Sequence, residues 1–304
     1  MLAKWSGHPA SSGEELRRGD AADASCGGGR CRSTPPDAVV RLARIRSSSG
    51  SAQLAVQDNG GFRPVGGDLA GAIAGPLPVP AGEALEDCTL LAPVEPRKIV
   101  CIGLNYLDHI RETGSEVPKS PLVFAKFTSS IVGPTDPIRI PTDVTQRVDW
   151  EVELAVVIGR PARNVAPEQA LEHVFGYTVA NDVSARDLQF GDGQWVRGKS
   201  IDTFCPLGPV VVTADEVPDP QGLHLTTRVN GELVQDATTD LMVFDVATLI
   251  SFCSHSFTLE PGDVLLTGTP WGCGEFMEPK RSLAAGDVVE CAIEGIGTLR
   301  NPVL

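Results

Sequence analysis

The 304-residue sequence predicts an α+β, β-dominated protein: a mixed β-sandwich or roll with a few short helices, preceded by a small N-terminal β-rich domain. Three observations predict it. Short runs of Val, Ile and Leu recur between strong turn signals. Helical patterns are few and do not alternate with strands as in a doubly wound sheet. The 32 Gly and 24 Pro supply the turns that such a chain needs.

Residues 1–38 are rich in Gly, Ser, Ala and Arg, have almost no apolar periodicity, and are expected to form a disordered tail. A compact strand pattern begins only at Val39, so a translation start assigned too early is a second reading of this tail. Residues 39–95 are expected to be the small β-rich domain with its linker. Val39 to Ile45 and Ala52 to Val56 flank Ser47-Ser-Ser-Gly50, and Asp58-Asn-Gly-Gly61 is a hairpin signal. The Pro- and Gly-rich stretches 75–82 and 93–96 form the linker. The main domain spans 96–304. Lys98 to Gly103 is its first strand, followed by a helix with Asn105 as N-cap and Gly114 beyond its end. Strands are expected over 148–159, 175–183, 208–213, 225–235 around Asn230-Gly231, 263–267 and 287–294, and helices over 167–174 and 243–253.

Composition narrows the function. Acidic residues outnumber basic ones 39 to 25, and a net charge of −14 repels phosphate backbones and anionic membrane surfaces. A small anionic ligand remains compatible, because local cations dominate within a Debye length of roughly 8 Å. None of the eight cysteines stands in a two-residue metal or redox spacing, which points to a reduced, cytoplasmic protein. No apolar run approaches the roughly 18 residues of a membrane span, and the first residues lack the apolar centre of a secretory signal.

The chemistry concentrates in a few segments. In Asp149-Trp-Glu-Val-Glu153, acids alternate with apolar residues, so a strand places the acids on one face. Carboxylates so close repel unless a cation or an arginine sits among them, although the pattern alone also fits the solvated face of an edge strand. Asp182 closes a strand and is able to converge with a neighbour. Such an all-oxygen donor set suits Mg²⁺ first and Mn²⁺ or Ca²⁺ next, and disfavours zinc. His109 and Glu112 lie three apart on the short helix, the spacing at which a carboxylate orients an imidazole for proton transfer. Lys126, Arg186, Gln189 and Lys199 supply groups for an anionic substrate. The turn Leu266-Thr-Gly-Thr-Pro270 offers the Thr269 hydroxyl and backbone N–H groups, and fits a plain tight connection equally well. Gly198-Lys-Ser200 is no phosphate loop, since the earlier glycine is missing.

Taken together, Gly103-Leu-Asn-Tyr106 with His109 and Glu112, Asp149 to Glu153, Asn181-Asp-Val-Ser-Ala-Arg-Asp187, Gly198 to Pro206 and Thr267-Gly-Thr-Pro270 resemble the fumarylacetoacetate hydrolase superfamily from about residue 97 onward. The resemblance implies that family's β-sandwich roll, a homodimer, and a metal held by Glu151, Glu153 and Asp182. It implies His109, Glu112 and Lys199 as catalytic residues, and Lys126, Arg186, Gln189 and Thr269 as substrate contacts. The implied activity is Mg²⁺-dependent hydrolysis of a C–C bond in an acylpyruvate-like 2,4-dioxo acid. The alternative is decarboxylation, isomerisation or hydration of oxaloacetate- or hydroxymuconate-type acids, as in aromatic catabolism. Trp271 to Met277 departs from the larger tyrosine-catabolic hydrolase and is expected to line the pocket in its own way.

Overall fold

Aliphatic runs bounded by turn residues become strands, and a computed structural model describes where they go for residues 40–47, 50–58, 61–80, 83–85 and 87–304. The expected tail lies outside the described residues. The chain begins with β1 (Arg41–Ser47), β2 (Ala52–Asp58) and β3 (Gly61–Pro64), then α1 (Leu69–Ala74) and β4 (Cys88–Leu91). β5 (Ile99–Gly103) leads into α2 (Leu107–Thr113), and β6 (Leu122–Lys126) returns antiparallel to β5. Next come β7 (Ile131–Val132), β8 (Val148–Asp149), β9 (Val152–Ile158), α3 (Pro167–Ala170) and β10 (Val174–Asn181). β11 (Ser184–Ala185), α4 (Arg186–Gly191), α5 (Val196–Lys199) and β12 (Cys205–Thr213) follow. The last part holds β13 (His224–Val229), β14 (Glu232–Thr238), α6 (Val246–Ser256), β15 (Val264–Leu266), β16 (Val288–Ile293) and β17 (Gly297–Pro302).

An 11-stranded mixed sheet runs β3-β2-β1-β12-β10-β9-β15-β5-β6, with β4 beside β1 and β7 beside β12. A 4-stranded antiparallel sheet, β14-β13-β16-β17, packs against it. The β-dominated mixed architecture is the one expected. β9 lies at the centre, and its two faces serve two cores. Val152, Leu154, Val156 and Ile158 join the core shared with α6 and the smaller sheet, while Ala155 and Val157 face a second core that includes Ile99, Leu207 and Leu266. A strand covered on both sides carries a nearly unbroken apolar sequence, which is what Leu154 to Ile158 shows.

The segment read as a small β-rich domain contributes β1 to β4, and these strands are continuous with the larger sheet: β1 pairs with β12 through Arg41 and Val212. The described residues form one compact unit. Other elements differ from expectation in instructive ways. The strand expected over 148–159 is interrupted at Trp150 and Glu151, where pairing passes from β11 to β10. α2 starts one residue later than expected, with Tyr106 rather than Asn105 at its N-cap. The Asn105 side chain bonds instead to Phe244 and to the Thr267 carbonyl. Gly114 ends the helix in the left-handed conformation, as its position predicts. No helix among the described residues is long and apolar enough to cross a membrane.

Candidate active site

The site begins with the register of β9 and β10. Glu153 stands opposite Ala180 and Val152 opposite Asn181, so the next step brings Asp182 beside Glu151, with the Asp182 N–H donating to the Glu151 carbonyl at 2.8 Å. Glu151, Glu153 and Asp182 are all buried, and one carboxylate oxygen of each lies within 4.8 Å of the others. The edge-strand reading of the acidic pattern therefore fails, because these acids open the row that continues into the second core. Asn181 fixes the break in the strand by accepting the Glu151 N–H at 2.9 Å.

Three buried cations surround the triad. Lys199 Nζ bridges Glu151 at 2.7 Å and Asp182 at 2.8 Å. Lys126 Nζ donates to Asp182 at 2.6 Å, and Arg186 reaches Glu151 at 2.6 Å and Asp149 at 2.8 Å. The carboxylates titrate unequally as a result. Burial alone would raise Glu151, but Lys199 and Arg186 outweigh it and hold the carboxyl at about 2. Glu153 is pushed well above the ordinary range by burial and by the charges of Asp182 and Glu151. Among the described residues its one hydrogen bond is from the Gly268 N–H at 2.7 Å, and no lysine or arginine side chain bonds to it. An all-oxygen triad with one uncompensated carboxylate fits a hard divalent cation. Glu151, Glu153 and Asp182 would hold it.

A cavity of about 190 Å³ opens onto this triad. Its wall includes Glu151, Glu153, His109, Arg186, Gln189, Lys199 and Thr269. His109 projects from α2 with Nδ1 2.9 Å from Glu112 Oε2, while Glu112 Oε1 accepts the Gly272 N–H at 2.8 Å. With Nδ1 engaged by the carboxylate, Nε2 is the nitrogen left to exchange a proton. The ring meets Phe276 edge-on at 5.6 Å, and Phe276 also lies under the Arg186 guanidinium at 5.7 Å. The turn after β15 supplies Thr269. Gly268 adopts φ +98°, and a Cβ there would stand 2.9 Å from Asn105 Cβ, so only glycine lets this turn pass close to the residue that leads into α2.

The geometry thus places seven of the ten residues singled out from the sequence on the wall of one cavity, with Asp182 completing the triad and Glu112 behind His109. Lys126 differs: it is buried on Asp182 and the Val183 carbonyl and is not part of the cavity wall, since β6 directs it to the carboxylate. Three contributors escaped the sequence reading, and Asp149 takes a role that it did not assign. Asp149, the first of the alternating acids, lies outside the triad and bonds Arg186, the Gly274 N–H and the Glu275 N–H. Gln235 on β14 donates to Thr269 Oγ1 at 3.0 Å and accepts the Val152 N–H at 3.1 Å, tying the turn to β9. Phe124 and Trp195 form the aromatic side of the cavity, edge-to-face at 5.3 Å. A methyl at Gly103 would stand 2.4 Å from the Trp195 ring, the one local signal that a large group lies there. Phe276 falls within the segment expected to line the pocket, and it does so.

The family model described as "Fumarylacetoacetate (FAA) hydrolase C-terminal" matches residues 98–304, the part that carries every site residue above. The chain belongs to the fumarylacetoacetate hydrolase family. Within that family it is 55% identical over 219 residues to the mitochondrial oxaloacetate tautomerase of Xenopus laevis, covering 71% of this chain and 68% of that protein. Against a human mitochondrial oxaloacetate tautomerase the identity is 51% over 237 residues, covering 77% and 74%. A fumarylacetoacetate hydrolase from Exiguobacterium antarcticum superposes with a TM-score of 0.80 at 45% identity over 87% of this chain and 99% of that one. A 2-hydroxyhepta-2,4-diene-1,7-dioate isomerase from Mycobacterium marinum gives 0.75 at 42% identity over 87% and 98%. Fumarylacetoacetate hydrolase family members of this kind are enzymes, and the buried acidic cluster here is able to hold a divalent metal.

Proposed function

We propose that the chain is a divalent-metal-dependent tautomerase of small 2-oxo dicarboxylic acids of the oxaloacetate type. The observation that carries this is the His109 imidazole, held on Glu112, on the wall of the same small cavity as Glu151 and Glu153. A cation on the triad, Mg²⁺ by its oxygen donors with Mn²⁺ or Ca²⁺ as alternatives, supplies a Lewis acid for the 2-oxo carboxylate. In the keto-to-enol direction His109 takes a proton from the carbon beside the 2-oxo group, the C–H electron pair forms the C–C double bond, and His109 passes the proton to the former carbonyl oxygen; the reverse direction moves the same proton back. Glu112 stabilises the imidazolium. Lys199 and Arg186 balance charge on the oxygens. The Thr269 hydroxyl accepts from Gln235, so its own proton is free to be donated to a substrate carboxylate.

Proton transfer of this kind needs no positioned water, and the names of the tautomerase and isomerase relatives favour it over the C–C hydrolysis expected first from the sequence. The homodimer belongs to the same reading. The cytoplasmic location expected from the sequence draws no support from the two oxaloacetate tautomerase relatives, which are named mitochondrial. The test follows the decay of enol oxaloacetate by ultraviolet absorbance. Acceleration that chelation abolishes and Mg²⁺ or Mn²⁺ restores supports the proposal. No acceleration by the metal-loaded protein, or faster release of pyruvate from acylpyruvates than enol turnover, overturns it.

A further inference from the structure

Beside the acid triad lies a second group of potential ligands with different chemistry. One atom each of His109, Glu112 and Cys273 falls within 4.8 Å of the others. Cys273 Sγ is 3.9 Å from His109 Nδ1, and Glu112 Oε2 is 2.9 Å from the same nitrogen. Ligand atoms around a tetrahedral zinc stand roughly 3.3–3.6 Å apart, given bonds of about 2.0–2.3 Å, so the two spacings straddle that value.

The surrounding structure holds this arrangement in place. Gly272 turns the chain at φ +99°, and a Cβ there would collide with the Val234 carbonyl at 2.0 Å, so the turn before Cys273 has no room to shift. The Gly272 N–H occupies Glu112 Oε1 and leaves Oε2 directed at the imidazole. Cys273 is fully buried, and its polar contacts, to His109 Nδ1 at 3.9 Å and to the Pro270 carbonyl and Gln235 Nε2 at 4.0 Å, are all long, so no short hydrogen bond competes for the sulfur among the described residues. Of the three, His109 alone lines the cavity, so an ion reaches the group only past the imidazole ring.

We propose that His109, Glu112 and Cys273 form an inhibitory site for thiophilic cations of the zinc class, separate from the hard-ion triad. Imidazole and sulfur select borderline ions, whereas the triad's oxygens suit Mg²⁺, so one cavity offers two ion sites sorted by softness. Cys273 ligates as the thiolate, its proton passing to solvent, and a water completes the tetrahedron. An ion there takes up His109 Nδ1 and draws it from Glu112. The inhibitory consequence rests on the reading of His109 as the proton-transfer group; the binding does not.

The test uses the full chain in saturating Mg²⁺. Cobalt is titrated in and followed by absorbance, zinc is then added in competition, and enol turnover is measured in parallel. The wild type is expected to develop a thiolate-to-cobalt charge-transfer band in the near ultraviolet, to lose it on zinc addition, and to be inhibited by micromolar zinc. Cys273→Val and Cys273→Ser are expected to lack the band and to keep turnover in Mg²⁺. They should tolerate more zinc by at least the roughly 10–100-fold that loss of even an outer partner costs a metal site. The serine variant covers the case in which valine disturbs packing. A wild type with no thiolate band overturns the proposal, as does equal zinc sensitivity in wild type and variants, which would leave Cys273 as a buried apolar filler. A band without turnover in any form keeps the site and sinks the tautomerase reading instead.

Discussion

The two ends of the cavity are built on opposite principles. At the triad end, Glu151 and Asp182 are saturated by Lys126, Lys199 and Arg186, and the acids come from two central strands of the large sheet. At the other end, His109 stands on a 7-residue helix, oriented by one carboxylate and one aromatic edge. The triad is fixed by the core and the imidazole by local contacts. Cation binding and proton transfer are therefore separable, and mutation is expected to separate them.

The largest effect belongs to Asp182→Ala, which removes a ligand, strands Lys126 in the interior without a carboxylate and leaves Lys199 on Glu151 alone. Breaking a buried ion pair in this way costs about 3–5 kcal/mol. Denaturant unfolding should register that loss together with the disappearance of turnover; a stable, active variant would show that the cluster is not the centre of the site. Next is His109→Gln, expected to lower kcat by about 10²–10⁴-fold while leaving cation affinity within a few-fold of wild type by calorimetry. Equal loss of both would erase the proposed separation of the two ends.

A smaller effect comes from the ion alone. At a concentration near 100 times its Kd, Mg²⁺ or Mn²⁺ should stabilise the fold by about 2.7 kcal/mol, read as a rise in Tm that Glu153→Gln diminishes. The smallest is Gln235→Glu. A carboxylate in place of the Gln235 amide turns a donor into an acceptor for Thr269, drawing the hydroxyl proton away from the substrate. KM should rise about 10-fold with little change in kcat, the size of one lost hydrogen bond to a charged group. An equal fall in kcat would place Gln235 in the chemistry rather than in positioning.

Much of this was legible in the sequence where local pattern decides structure. The alternation from Asp149 to Glu153 and the apolar run behind it announced a strand with acids on one row, and the β13–β14 hairpin turns at Asn230-Gly231, both at positive φ as its residues require. What pattern did not carry depends on partners distant in sequence. Asp149 belongs to the same alternation as Glu151, but the strand breaks between them because β8 pairs with β11 while β9 pairs with β10. Lys126 reads as a substrate contact until the placement of β6 buries it on Asp182. Asn105 has the residue type of a helix cap, but a buried amide satisfied by Phe244 and Thr267 is better used as a clamp. Gln235 gives no sequence signal, since nothing in a hairpin marks which residue will reach a turn thirty-four positions away.

The pairing of β1 with β12 bears on how the polypeptide can be shortened. A fragment trimmed to residues 98–304 keeps every residue of the cavity wall but strips β1 from Val211 and Val212, leaving part of a strand next to β10, which leads into Asp182, with open backbone groups. An uncovered aliphatic edge of that kind recruits other chains. Such a fragment is expected to lose solubility before it loses chemistry.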